Sequence, residues 1–502
     1  MSVTTAKPFE RYMNADELAK LIEDESVSAM WARCAAAYAD RPAIVDEGVS
    51  HTFGEVERDA ARLRALLTPF AGKRVGLLAA NSYDFVRGYL AAVTAGCTAV
   101  ILPAQLDAGT VFGCSMKFGM DALIYQPGLE EKLAAVKARR PDLPLIAADA
   151  AGDECAPVVP VKPETPCVIM FTGGTTGQSK GALLSHRAVM QGTVNGCYGL
   201  KDFFFQRYLL AIPLSHVFGL IRNLMTALYT GSTLWICRSN KDMFRDIAVF
   251  KPTFLVVVPA LAEMALTLSK KFGRNMLGED MRYIICGAAA VAPYLVGEYD
   301  RMGIALCPGY GLTESANLVS GNPAYLSKPD SVGLPYPNQE LKLVDGELWI
   351  KGKNVMDGYV GEEEPSFEDG WFRTGDLARF DEDGFLYITG RIKEIIVLPN
   401  GENVSPAEVE ARFNALPCVQ DSQVFAARSD AGGSILALEV VPRLTALKDL
   451  PPEQIKPYIL ERLAEVNRTL PGYQRVSRMT VRDTDFERTP SMKIVRYKDE
   501  QN

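Results

Sequence analysis

Through roughly the first 330 residues, short apolar runs alternate with stretches whose apolar positions recur every three or four residues. Residues 74–80 read as a buried strand, 83–95 as a helix and 98–102 as the next strand. The rhythm returns at 166–171, 208–212, 233–236, 253–258 and 283–286, each run followed by a helical or loop segment. Such alternation predicts mostly parallel sheets with helices on both faces. Ligands of such sheets bind where loops leave the carboxyl ends of the strands. From about 331 to 397 the pattern changes to short alternating strands, at 340–344, 347–351 and 385–389, set apart by Gly, Asp and Pro turns. A compact α+β tail follows, with helices near 406–414 and 453–468 and strands near 419–427 and 435–441. The predicted fold class is α/β. A large N-terminal domain (1–391) holds two mostly parallel α/β sheets and a small β-barrel-like subdomain (331–391), and a small α+β domain (392–502) follows.

Length and composition sharpen this picture in a few places. At 502 residues the chain exceeds what one hydrophobic core covers, in keeping with at least two domains. A net charge of -8 argues against a nucleic-acid partner, which demands a basic stripe. The ten cysteines are scattered singly and the only histidines are His51, His186 and His216, so a zinc site is not indicated. Isolated thiols, a polar start with no signal-peptide pattern, and no apolar run of the ~18 residues that a membrane helix needs predict a soluble cytoplasmic protein.

The strongest local feature is Phe171-Thr-Gly-Gly-Thr-Thr-Gly-Gln-Ser-Lys-Gly181, directly after an apolar strand. Its glycines (Gly173, Gly174) let backbone N–H groups approach phosphate oxygens. The hydroxyls of Thr172, Thr175 and Thr176 donate, and Lys180 supplies charge. From composition alone it also suits a flexible surface turn. The order Lys-Gly excludes the NTPase P-loop, which needs Gly-Lys-Ser/Thr opening a helix.

The loop resembles the phosphate-binding loop of the adenylate-forming superfamily, which includes acyl- and aryl-CoA synthetases, peptide-synthetase adenylation domains and luciferases. Further motifs follow in that family's order and cover most of the chain. Pro213-Leu-Ser-His216-Val-Phe-Gly219 resembles the motif whose histidine lies beside the acyl carboxylate. Ile285-Cys-Gly-Ala-Ala-Ala290 resembles the small-residue strand end that packs on adenine, which implicates Gly287, Ala288 and Ala289. Tyr310-Gly-Leu-Thr-Glu-Ser315 is similar to the segment whose aromatic (Tyr310, between Gly309 and Gly311) stacks on adenine. There the threonine (Thr313) contacts the α-phosphate and the glutamate (Glu314) holds Mg²⁺. Asp376, in Gly370-Trp-Phe-Arg-Thr-Gly-Asp376, resembles the acid that accepts both ribose hydroxyls. Arg391 adds a nucleotide donor, and Lys393 matches the hinge about which a mobile C-terminal domain turns. Lys493, in Arg488-Thr-Pro-Ser-Met-Lys-Ile-Val-Arg496, resembles the catalytic lysine that bridges the attacking carboxylate and the α-phosphate. Read as bare sequence, each segment also fits an ordinary turn, strand end or charged tail.

The resemblance implies an ATP- and Mg²⁺-dependent acid–thiol ligase: acyl-AMP forms with release of pyrophosphate, then a thiol displaces AMP. Coenzyme A is the expected thiol, because Asn400-Gly-Glu-Asn-Val-Ser-Pro-Ala-Glu-Val-Glu410 resembles the CoA-ligase loop and Gly401 would let pantetheine pass. A phosphopantetheine carrier protein is the alternative acceptor. The chain departs from the family at Gly173, Ser179 and Met492, which motivates a third reading, a catalytically silent nucleotide binder. None of these changes removes a charged group. The stretch Val217-Phe-Gly-Leu-Ile-Arg222 lacks the aspartate of amino-acid-activating relatives. An aromatic or aliphatic acid is therefore expected, in a pocket formed by His216, Phe218, Ile221, Ala288 and residues near Pro308. The expected assembly is a monomer or homodimer.

Overall fold

The apolar runs become strands because each is buried on both faces between helices. The computed structural model describes residues 2–5, 9, 12–13, 15–172, 180–361, 367–398, 402–428, 434–489 and 494–496. Among these, seven strands form one sheet in the order Gly358–Tyr359, Gly181–Ser185, Pro166–Phe171, Thr98–Pro103, Arg74–Ala79, Ala122–Tyr125, Leu145–Ala147. Its centre is parallel, running in register from Arg74 opposite Thr98 to Ala79 opposite Pro103. A nine-stranded sheet runs Leu334–Pro335, Ser320–Gly321, Ala305–Tyr310, Tyr283–Cys286, Phe254–Val257, Arg207–Leu210, Thr233–Ile236, Pro42–Asp46, Val49–Thr52. Its five central pairings are parallel, from Ala305–Tyr310 through to Pro42–Asp46.

The two sheets share one core. Helix Tyr83–Thr94 is buried along most of its length, and Phe85, Tyr89 and Val93 join strands of both sheets in a single cluster. Ser82 caps it by accepting the Phe85 N–H at 3.3 Å. Helix Phe53–Leu67, beside it, starts on a reciprocal capping box, Glu55 N to Thr52 Oγ1 at 3.2 Å and Thr52 N to Glu55 Oε2 at 2.8 Å.

The third sheet is antiparallel: Ser2–Thr5, Gln339–Val344, Glu347–Gly352, Trp371–Phe380, Phe367–Glu368, with Leu386–Arg391 paired to Trp371–Phe380. Strand Ser2–Thr5 is an addition that the sequence pattern did not predict; it pairs Ser2 with Lys342 and Thr5 with Gln339. Beyond residue 393, strands Val419–Arg428, Ser434–Pro442 and Arg478–Val481 pack with helices Pro406–Asn414 and Pro452–Thr469 around their own core of Val409, Phe413, Leu438, Val440, Ile459 and Leu463. The fold is thus a large N-terminal α/β part followed by a small C-terminal α+β part. No helix among the described residues is long and apolar enough to cross a membrane.

Candidate active site

A cleft of about 2880 Å³ opens at the carboxyl edge of the nine-stranded sheet and extends to the C-terminal part. Its size exceeds the 300–1,000 Å³ or so of a single small-molecule pocket, because two halves of the molecule wall it. Of the sequence-predicted site residues within the described set, all but Ile221 line it: Thr172, Lys180, His216, Phe218, Gly287, Ala288, Ala289, Gly309, Tyr310, Gly311, Thr313, Glu314, Asp376, Arg391 and Lys393. Gly173, Gly174, Thr175, Thr176, Gly401 and Lys493 lie outside the described residues.

The base of the glycine-rich loop is the hairpin of strands Pro166–Phe171 and Gly181–Ser185, closed by Thr172 N donating to Lys180 O at 2.9 Å. The short strand Gly358–Tyr359 pairs with the second of these, Tyr359 opposite Ala182. That pairing sets the Tyr359 ring 4.7 Å from Lys180 Nζ and its hydroxyl 2.6 Å from Glu314 Oε1, to which it donates. Lys180, Tyr359 and Glu314 thus form one polar row. Tyr359 was missed by sequence reasoning, and its only signal is an aromatic immediately after a glycine, Gly358, at φ +138°.

Glu314 sits in the 3₁₀ turn Thr313–Ser315, which ends in two left-handed residues, Ala316 (φ 47°) and Asn317 (φ 76°). The chain folds back so tightly that a Cβ on Gly311 would lie 1.1 Å from Asn317 O, so only glycine fits there. Buried Asn354 pins the turn from behind, donating to Ser315 O at 2.9 Å and Leu318 O at 2.8 Å. At the end of strand Tyr283–Cys286, Ala288 is held at φ 66°, a strained conformation for a residue with a Cβ and typical of functional turns.

Asp376 is 1% exposed. Strand pairing sets it directly opposite Arg391, whose Nε lies 2.7 Å from Oδ1, and the Tyr310 hydroxyl donates to Oδ2 at 2.5 Å. Burial and then the Asp376 charge push the Tyr310 phenol well above its ordinary value, so it remains a donor. Burial opposes the Arg391 charge, yet Asp376 wins and holds the guanidinium above its ordinary value. A carboxylate has about four lone-pair sites, so both oxygens retain capacity for further donors. Glu347, another residue that sequence reasoning passed over, accepts Gly375 N–H at 3.0 Å and Trp349 Nε1–H at 2.9 Å, fixing the approach to Asp376.

His216 follows strand Arg207–Leu210, where the chain enters a π-helix, Phe218–Met225. Its Nδ1 accepts the Phe218 N–H at 3.2 Å, which puts the ring proton on Nε2. One sequence expectation fails here. Ile221 belongs to the core against helix His186–Asn195, where a Cβ on Gly192 would meet its Cγ2 at 3.1 Å, and Arg222 lines the cleft in its place. Residues four apart share a face in either kind of helix, whereas the wider π turn carries the residue three after Phe218 well away from it.

The C-terminal part closes the cleft. Arg496 grips Glu410 with two bonds, 2.7 and 2.8 Å, and reaches Glu394, beside Lys393, at 3.0 Å. The bridge between Arg488 and Ile494 brackets the segment that contains Lys493, and Arg488 is held by Asp421 at 2.6 Å.

Residues 31–360 match the AMP-binding enzyme model and residues 393–502 the AMP-binding enzyme C-terminal domain model. The chain is similar to a 4-coumarate–CoA ligase-like protein of Arabidopsis thaliana, at 34% identity over 67% of this chain and 62% of that protein. It is also similar to a feruloyl-CoA synthase of an Amycolatopsis species, at 31% identity over 79% of this chain and 84% of the relative. In fold it matches an anthranilate CoA ligase solved in complex with anthranoyl-AMP, with a TM-score of 0.84 and 21% identity over 95% of this chain and 96% of the other. The match to the first of these relatives spans less than two thirds of that protein's length. The chain belongs to the AMP-binding enzyme family, the adenylate-forming superfamily, on its acyl- and aryl-CoA synthetase branch.

Proposed function

We propose that the protein activates a carboxylic acid with ATP to acyl-AMP, releasing pyrophosphate, and then transfers the acyl group to the thiol of coenzyme A, releasing AMP. The observation that carries this reading is the convergence of His216, Lys180, Glu314 and the Asp376–Arg391 pair on one cleft, which Arg488 and Ile494 also line. The names of relatives, built on 4-coumarate and ferulate, favour an aromatic acid over a fatty one.

In the first step a carboxylate oxygen attacks the α-phosphorus and the bond to pyrophosphate breaks, with no covalent enzyme intermediate. The chain contributes position and charge. Nε2–H of His216 donates to the acid, and the Gly309-Tyr310-Gly311 edge with Gly287, Ala288 and Ala289 holds adenine. Asp376 accepts the ribose hydroxyls while Arg391 fixes its orientation. Thr172, Lys180, Thr313 and the glycine-rich loop bind phosphate. A single carboxylate beside phosphate-binding groups is a donor set suited to Mg²⁺, which takes one or two carboxylates plus substrate phosphates. Glu314 would hold that ion, with Tyr359 orienting its Oε1. Mg²⁺ supplies charge neutralisation on the transferring phosphoryl group. Lys493 would offset the charge that builds on the α-phosphoryl oxygens.

In the second step the 392–502 domain turns about Lys393, a thiolate attacks the acyl carbonyl carbon, and the bond to AMP breaks. Gly401 would border the pantetheine path. A cytoplasmic location and a monomer or homodimer belong to the same reading. The test is ATP–pyrophosphate exchange across a panel of aromatic and aliphatic acids, followed by product analysis with CoA or a holo-carrier protein. Exchange at background with every acid sinks the reading, and acyl transfer confined to the carrier protein would replace CoA by that acceptor. Lys493→Ala should lower adenylation by several orders of magnitude and leave ATP binding intact.

A further inference from the structure

Arg222 is a charged side chain that the machinery above does not use. It is 2% exposed, it lines the cleft, and its Nη1 is enclosed without a hydrogen-bond partner. Its electrostatic neighbours are the Cys197 and Cys307 thiols and the Tyr208 and Tyr336 phenols; none of these is a carboxylate. Burial holds all four groups neutral, pushing both thiols and the Tyr208 phenol up to about 12. The Tyr208 hydroxyl lies beside the guanidinium and offers it a neutral oxygen, not a counter-charge. The aromatic face of Phe254, 5.1 Å from the guanidinium carbon, and that neutral hydroxyl are compensation without a counter-charge. A guanidinium stays charged in proteins and carries five donors, so burying one without an anion is costly. An enclosed cation of this kind, open to a ligand cleft, is built for an anion that arrives with the ligand.

The location says which part of the ligand that is. The guanidinium lies over Phe254, the first residue of strand Phe254–Val257, whereas His216 and Gly287 lie past the carboxyl ends of neighbouring strands. Four residues of strand span roughly 10 Å. The reacting carboxylate at His216 and an anion at Arg222 are therefore at opposite ends of the acyl pocket. Tyr198, Phe218, Cys307 and Tyr336 line the same cleft.

We propose that Arg222 receives a second carboxylate at the far end of the acid, so that the substrate is a dicarboxylic acid activated at one end only. This rests on the ligase reading above. A carboxylate suits the site because its two oxygens match the planar fork of the guanidinium. It also explains why this helix, Phe-Gly-Leu-Ile-Arg-Asn-Leu-Met, carries a single charged residue among mostly apolar ones.

The experiment is ATP–pyrophosphate exchange with matched acid pairs that differ only in the distal group, octanoate against suberate and cinnamate against 4-carboxycinnamate. The wild-type protein should favour the dicarboxylate at least tenfold in kcat/KM in the pair whose spacer fits. Arg222→Met should reverse that preference by weakening the diacid and improving the monoacid, mostly through KM. A wild-type preference for the monoacid in both pairs overturns the proposal, as does an Arg222→Met variant that keeps the diacid preference. If Arg222→Met fails to fold, the wild-type ratio and Arg222→Lys, which keeps charge without the fork, decide it: Lys should retain part of the preference. Background exchange with all four acids and with the wider panel overturns the ligase reading itself, whereas exchange without diacid preference overturns only the role of Arg222.

Discussion

His186 shows how a residue's surroundings set its chemistry. It opens helix His186–Asn195, is fully buried, and neither ring nitrogen has a hydrogen-bond partner. Burial lowers its pKa from 6.5 to about 4. The folded state therefore keeps this ring neutral while the unfolded chain takes up a proton as pH falls through 6.5. Stability from this group is complete above 6.5 and is lost between 6.5 and 4, by about 2 kcal/mol at pH 5. Urea unfolding of wild type and His186→Gln at pH 7 and pH 5 measures this as a difference between the two proteins. Equal pH dependence would show that His186 does not carry the effect. Of the three histidines in the sequence, only His216 was assigned a role from its motif. That His186 is the one enclosed without a partner is decided by packing, which spacing along the chain does not encode.

At the scale of elements, strand pairing turns separated motifs into a site. Asp376 and Arg391 meet because two antiparallel strands run in register, and Tyr359 meets Glu314 because a two-residue strand adds to the glycine-loop hairpin. Tyr359→Phe removes one hydrogen bond to a charged group, about 1.5–3 kcal/mol. Adenylation should fall on the order of tenfold to a hundredfold, chiefly through KM for MgATP, with the circular dichroism spectrum unchanged. Exchange kinetics across a range of Mg²⁺ concentrations measure this, and unaltered kinetics would leave Tyr359 a packing residue. Strands such as 74–79 and 283–286 were readable from apolar runs alone, because burial on both faces writes a continuous signature. Strands 2–5 and 358–359 were not, since they are too short or too polar to write an apolar run and their order comes from the partner strand.

At the scale of the molecule, the large and small parts touch through a half-buried ion pair as well as around the cleft. Arg443 Nε lies 3.0 Å from Glu263 Oε1, and its guanidinium sits 4.3 Å above the Tyr294 ring. Burial raises the Glu263 pKa above the usual carboxylate range, and Arg443 holds it back. Arg443→Ala leaves a desolvated carboxylate without its partner and should weaken this contact by about 1–3 kcal/mol. Limited proteolysis in the 392–402 connection should then be severalfold faster than in wild type, and an unchanged rate would show that the pair does not hold the two parts together. The sequence by itself determined the layered α/β architecture, the small α+β tail and the motifs that mark the family. Each of these is written in local order, as apolar period, turn residues and short runs of chemistry-bearing side chains. Only the tertiary structure decided that Tyr359, Glu347 and Asn354 brace the site and that Arg222, not Ile221, lines the cleft. Those outcomes depend on sheet register and on the wider turn of one π-helix, which bring together residues far apart in the chain and leave no local trace.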